Sequence, residues 1–251
     1  MDSLFAKDKI RVTIVGRNLD ELEPMLRMFP CELVDDNPDL VISYGGDGSL
    51  LGAERSFPGV PKCPLRDRKN NPKCPRHSEL STLTQLFSGK LQKIELIKLE
   101  AVTEGGDSIQ GINEILVDRT RDTVAIRYRI WMDGQLFRSQ VVADSLLVAT
   151  PFGSTGYFQS ITHGNFQSGL GLAFNNSMDL LSYSVIRENS KVTVQLLRGP
   201  AFVGADNDPR KIELDTNETL TIQTTTEKTV LYGLDVFRCP DCYDLRKHGH
   251  Q

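Results

Sequence analysis

At about Lys90 the sequence changes its period. Before that point short apolar runs alternate with segments of helical spacing. KIRVTIVG is rich in β-branched residues and closes on a glycine, while NLDELEPMLRMF places Leu19, Leu22, Met25, Leu26 and Phe29 on one helical face. Pro24 is expected near the first turn of that helix, where a missing N–H costs nothing. CELVDDNPDLVISY supplies two more short strands around Asn37-Pro38, and SLLGAERSF resumes a helix directly after a run of glycines. Strand, helix, strand, helix predicts an α/β domain with a parallel sheet. Beyond Lys90, KIELIKLEAV, IQGINEILVD, TVAIRYRIWMDGQLF, SQVVADSLLVAT, KVTVQLL, KIELD and ETLTIQTTT run between glycine, Asp-Gly and Asn turns, which predicts a β-rich domain. The expected divisions are residues 1–91, residues 92–225 and a C-terminal tail over residues 226–251. Between the helices of the first domain, residues 61–78, PKCPLRDRKNNPKCPRHS, read as a loop with almost no large apolar side chains. The Gly-Gly-Asp at 105–107 reads as a hairpin turn.

Composition removes several function classes. With 29 Lys and Arg against 33 Asp and Glu, the net charge of -4 offers no global basic field, so no nucleic-acid partner is expected and an anionic ligand needs local donors. No run approaches the roughly 20 apolar residues of a membrane-spanning helix, and MDSLFAKDKIRVTIVG lacks the pattern of a signal peptide. The expectation is a cytoplasmic protein without a membrane partner. Five cysteines are an odd number for a disulfide framework in a reducing compartment, which leaves metal binding or plain thiols.

Three stretches carry candidate chemistry. LVISYGGDGSLLGAER sets Gly45, Gly46, Asp47, Gly48 and Ser49 between a strand end and a helix start, where backbone N–H groups and the helix dipole can hold phosphate. The same residues also fit a tight turn with Asp47 as the helix N-cap. DSLLVATPFGSTGYFQS runs a buried-looking strand from Asp144 into Thr150, Ser154, Thr155 and Tyr157, whose hydroxyls and ring suit a nucleotide base or ribose as well as a capped surface loop. GINEILVDR embeds Asn113 and Glu114 in an apolar strand, an expensive pair to bury without polar partners.

In this order the three stretches resemble the NAD kinase family, in the superfamily that also holds diacylglycerol kinases and 6-phosphofructokinases. The family pattern of GGDGT, an Asn-Glu strand, and an Asp-Gly strand leading into TPTGSTAY appears here as Gly45 to Ser49, Asn113-Glu114, and Asp144 followed by TPFGSTGY. The resemblance implies an NAD kinase-like fold: a Rossmann-like parallel sheet, a β-rich sandwich, and a tail that returns to the first domain. It implies Mg2+-assisted transfer of phosphate from ATP, or from polyphosphate, to the 2′-hydroxyl of the adenosine ribose of NAD. Asp47 is then the acid that orients or deprotonates that hydroxyl. The glycines and Ser49 belong to the phosphate side, and Asn113, Glu114, Asp144, Thr150, Ser154, Thr155 and Tyr157 to the accepting nucleotide. A homodimer or homotetramer is also implied. A related kinase acting on a lipid, sugar or nucleoside hydroxyl, or a non-catalytic nucleotide sensor, would carry the same loops.

The sequence also departs from that pattern. VPKCPLRDRKNNPKCPRHSEL replaces the family's Gly-Arg-Leu-Gly-Phe-Leu segment, and Ala205-Asp206-Asn207-Asp208 stands where the family has Asp-Gly. The replaced loop carries Cys63, Cys74 and His77, and the tail carries Cys239 and Cys242. If the tail returns, four thiolates, or three with His77, would make a tetrahedral structural Zn2+ site; reduced thiols or a redox pair are the alternatives.

Overall fold

The computed structural model describes residues 3–67, 69, 77–178, 182–242 and 244. They divide into two compact units, one taking the chain as far as Leu96 and again from Thr229, the other running from Ile97 to Lys228.

The first unit is built on β1 (Ile10–Gly16), α1 (Leu19–Leu26), β2 (Cys31–Leu33), β3 (Leu40–Tyr44), α2 (Asp47–Ser56), β4 (Lys62–Leu65) and α3 (Glu79–Phe87). Its strands lie parallel in the order β2-β1-β3-β4, and Leu231 pairs in parallel with Lys62 on the far side of β4. β3 is buried at every position, as expected of a central parallel strand covered on both faces. Leu22 and Leu26 of α1 and Leu83 and Leu86 of α3 pack with the strands into one apolar core.

Two expectations fail here. Pro24 lies in the second turn of the eight-residue α1, not in its first. Residues 62–65 are not loop but the buried strand β4. Lys, Cys and Pro are weak strand signals, and the burial of Lys62 is made tolerable by its pairing with Glu54 of α2 and a 2.7 Å hydrogen bond donated to the Phe57 carbonyl.

The second unit contains β5 (Lys93–Thr103), β6 (Ser108–Gly111), β7 (Glu114–Arg119), β8 (Ile126–Met132), β9 (Gln135–Ala143), β10 (Ser145–Ala149), α4 (Tyr157–Thr162), β11 (Leu170–Asn175), β12 (Tyr183–Ile186), β13 (Val192–Arg198), β14 (Ala201–Ala205), β15 (Ile212–Leu214) and β16 (Thr219–Tyr232). Both unit boundaries fall within strands, β5 and β16. β12-β11-β10-β7-β14-β15 form an antiparallel sheet. A second layer holds β13 between β8 and β16, with the β5–β6 hairpin turning at the expected Gly-Gly-Asp, where Gly106 has φ 90°. Inward residues of both layers, among them Ile115, Val148, Leu172, Ile130 and Val194, form the core of this sandwich. The short helix α5 (Leu234–Phe237) belongs to the first unit.

Candidate active site

β3 delivers the chain into Gly45, whose φ of 145° and contact with Ser49 leave no room for a side chain: a Cβ would sit 2.3 Å from Ser49 Oγ. Gly46 is the N-cap of α2 in extended conformation, and Asp47 is the first helical residue. Asp47 is therefore not the cap. Its carboxylate accepts from Arg66 Nη2 at 3.0 Å and from Arg238 Nη2 at 3.5 Å. Burial pushes the Asp47 carboxyl upward, but the two guanidinium groups outweigh it and hold the group below the usual carboxylate range. The side chain keeps 43% exposure, so an ionised oxygen at the positive end of a helix still faces outward. Gly48 is exposed beside it and the Ser49 N–H donates to the Gly46 carbonyl.

Arg66 and Arg238 were not expected from the sequence. They lie 19 and 191 residues from Asp47, in a basic loop and beside a cysteine, and no local pattern marks either as its partner. Arg66 also donates through Nε to the Phe237 carbonyl at 3.2 Å and lies 4.0 Å over the Phe237 ring.

The second cluster lies in the sandwich unit. Asp206, at the end of β14, accepts the backbone N–H groups of Ile112, Asn113 and Glu114 at 2.8, 2.8 and 3.1 Å. Its conformation is left-handed, φ 49°, which aspartate tolerates better than most residues. The Asn-Glu pair is thus fixed through its backbone while its side chains stay available. Asn113 Oδ1 and Glu114 Oε2 are buried and have no hydrogen-bond partner within the described structure. Burial first, and the Asp206 charge second, push the Glu114 carboxyl up to about 8, so it keeps its proton near neutrality. Glu114, Tyr157, Phe202, Asp206 and Lys211 line one cleft.

The loop after β10 divides its labour. Thr150 is buried and donates to the Ile112 carbonyl at 2.6 Å, while its N–H reaches the Asn113 carbonyl at 2.8 Å. Ser154 is buried with Oγ 2.8 Å from the Pro151 carbonyl and 2.9 Å from that of Phe166. Both hydroxyls hold the loop to its own protein. Thr155 on the same loop and Tyr157 at the start of α4 are exposed, and the Tyr157 hydroxyl accepts from Asn175 at 3.3 Å. Asp144 is not brought to this cluster. Bonded to Arg119 and Asn176, it sits at the opposite end of β10 from Thr150, about 20 Å along the strand.

The cysteine expectation is corrected in part. Cys63 lies fully buried in the apolar core of the first unit, outside the group that the other described candidates form. Cys74 lies outside the described residues. Cys239 and Cys242 do come together with His77, the ligand atoms of the three all lying within 4.8 Å of one another.

No family model matches the chain. It is 36% identical over 127 residues to an NAD kinase of Hahella chejuensis, a match covering 47% of this chain and 43% of the relative. The chain thus spans less than half the length of that relative. An NAD kinase of Clostridium beijerinckii is 26% identical over 211 residues, 76% of this chain and 68% of its own length. Among solved structures, an NAD kinase from Archaeoglobus fulgidus in complex with ATP superposes with a TM-score of 0.76 at 18% identity, covering 95% of this chain and 99% of the other. Yeast NADH kinase complexed with NADH gives 0.77 at 13% identity, with 96% and 86% covered. In sequence and in fold the chain resembles NAD kinases.

Proposed function

We propose that this NAD kinase-like chain is a phosphotransferase that moves the γ-phosphoryl group of ATP to the adenosine-ribose 2′-hydroxyl of NAD, giving NADP and ADP. The observation that carries the reading is the pair of buried oxygens without partners on adjacent residues, Asn113 Oδ1 and Glu114 Oε2, the second of them on a residue that lines a cleft with Tyr157. Buried polar atoms need partners, and ribose hydroxyls with an adenine edge supply both donors and acceptors. A protonated Glu114 donates, Asn113 Oδ1 accepts, and the exposed Tyr157 ring offers an apolar face to a base.

Asp47 supplies the reactive carboxylate. Held ionised, it takes the proton of the acceptor hydroxyl as that oxygen bonds to phosphorus and the bond to the ADP oxygen breaks. Arg66 and Arg238 orient the carboxylate and add positive charge where the transferring group gathers negative charge. The partly exposed Asp47 is also the hard oxygen donor that fits Mg2+, an ion bound chiefly through substrate phosphates and one or two carboxylates. Once bound, Mg2+ would neutralise phosphate charge. A structural Zn2+, a cytoplasmic location and assembly as a homodimer or homotetramer belong to the same reading. For self-assembly, support comes from β12, at the edge of its sheet among the described residues, with Tyr183 and Val185 exposed.

The test is incubation with Mg-ATP, or polyphosphate, and a panel of NAD, NADH, a diacylglycerol, sugars and nucleosides, with products identified by mass. NADP should form, and Asp47→Asn should remove most turnover while NAD affinity stays within about a few-fold. Phosphorylation of another acceptor without NADP would replace NAD as the substrate. NAD binding with no product from any acceptor would make the protein a sensor.

A further inference from the structure

The C-terminal segment bears on Asp47 from two directions. Arg238 reaches the carboxylate directly, and Phe237 supports Arg66, the other partner, through its carbonyl and its ring. Yet α5, which carries Phe237, is four residues long, too short to hold a position by helix formation alone. Something must fix the segment. Cys239 follows Arg238 directly, and Cys239 and Cys242 are 5% and 2% exposed, forming a small buried cluster of their own. His77, just before the Ser78 cap of α3, places Nδ1 3.4 Å from Cys242 Sγ. Leu65, Arg66, His77, Phe237 and Cys242 line one small cavity.

Two thiolates and a neutral imidazole form a soft, charge-balanced donor set for Zn2+. With Zn–S near 2.3 Å and Zn–N near 2.05 Å, tetrahedral geometry sets N and S about 3.6 Å apart and two sulfurs about 3.8 Å apart. The 3.4 Å separation and the 4.8 Å limit on the whole group leave only a small contraction to make.

We infer that His77, Cys239 and Cys242 bind a zinc ion that pins the tail beside α3 and thereby holds Arg238 and Arg66 on Asp47, so that metal occupancy sets turnover without the metal touching substrate. The site stands on its own geometry; its effect on turnover rests on the kinase reading. Arg238 is in this account a positioning residue. Loss of the metal frees Cys239 and with it the guanidinium one residue away, leaving the carboxylate less firmly oriented.

Elemental analysis of the full chain should give about one zinc per chain, lost in the Cys239→Ser/Cys242→Ser double variant. Cobalt in place of zinc should add a thiolate charge-transfer band in the near ultraviolet. Chelation should lower kcat about ten-fold or more with KM for NAD within about a few-fold, and added Zn2+ should restore it. Zinc-loaded Arg238→Met should show the same kcat loss, Arg238→Lys should recover part of it, and chelating Arg238→Met should add little. Independently of activity, metal removal should speed amide exchange across residues 46–50 in the native chain but not further in Arg238→Met. Zinc below about one tenth of an equivalent with no cobalt band, or a Cys239–Cys242 disulfide in the unreduced chain, overturns the site. Bound zinc whose removal leaves both exchange and kcat unchanged, or adds fully to Arg238→Met, overturns the coupling. A chain that binds zinc and shows the exchange effect but makes no NADP refutes the kinase reading alone.

Discussion

Asp206 does the work of a substrate for the backbone: three successive N–H groups, from Ile112 to Glu114, end on its carboxylate. Its motif position was readable, but its role depends on residues 92 to 94 positions earlier in the chain, which no local spacing reveals. Its charge also helps keep Glu114 protonated, and that has a consequence for stability. A carboxyl with a folded pKa near 8 and an ordinary unfolded value near 4.5 retains a proton that the unfolded chain has lost. Its contribution is present in full below the unfolded value and is lost as pH rises toward about 8. Glu114→Gln has no such proton to lose. Thermal unfolding from pH 4.5 to pH 8.5 should therefore show the native chain losing Tm relative to Glu114→Gln as pH rises toward about 8, then holding a constant difference. A difference that does not change with pH would mean that Glu114 is ionised throughout.

Among the elements, the turn after β10 shows how hydroxyls that look like ligand contacts can be structural. Thr150 and Ser154 spend their hydrogen bonds on the carbonyls of Ile112, Pro151 and Phe166, and Gly153 passes so close to Asn113 that a Cβ would lie 2.2 Å from its carbonyl oxygen. The glycine is demanded by this approach. Gly153→Ala should push the turn away from Asn113-Glu114, costing about 1–3 kcal/mol of stability from overpacking. NAD affinity should fall with it. Denaturant unfolding and calorimetric titration with NAD check both, and a variant of native stability and affinity would show that the close approach is dispensable. α2 gives the opposite lesson: the strand-glycine-helix order was legible, yet Gly46 takes the capping position and the Asp47 carboxylate is held by two distant guanidinium groups.

For the molecule as a whole, the net charge of -4 supplies no general attraction for an anionic ligand, so the proposed nucleotide binding must draw on local donors. Self-assembly is the property of this kind most open to test. In sedimentation the native chain should run as a dimer or tetramer, and Val185→Lys, which charges the exposed edge of β12, should shift it toward the monomer. A native monomer would refute the assembly, and an unchanged oligomer in the variant would move the interface elsewhere.

The order of the residues was enough for the α/β unit, the β-rich unit, the glycine turn and the strand that begins at Glu114, with Asn113 in the bend before it, because each is written in hydrophobic period or turn chemistry within about ten to twenty residues. It misled at β4, where Lys62, Cys63 and Pro64 disguise a core strand whose burial depends on Glu54 and the strands beside it. It was silent on which groups meet Asp47 and on the separation of Asp144 from the turn after β10, and it left open which of the cysteines His77 would join. These are meetings of residues far apart in the chain. Only the closing of the sheets, driven by burial of side chains that individually carry no such information, brings them within hydrogen-bonding range or keeps them apart.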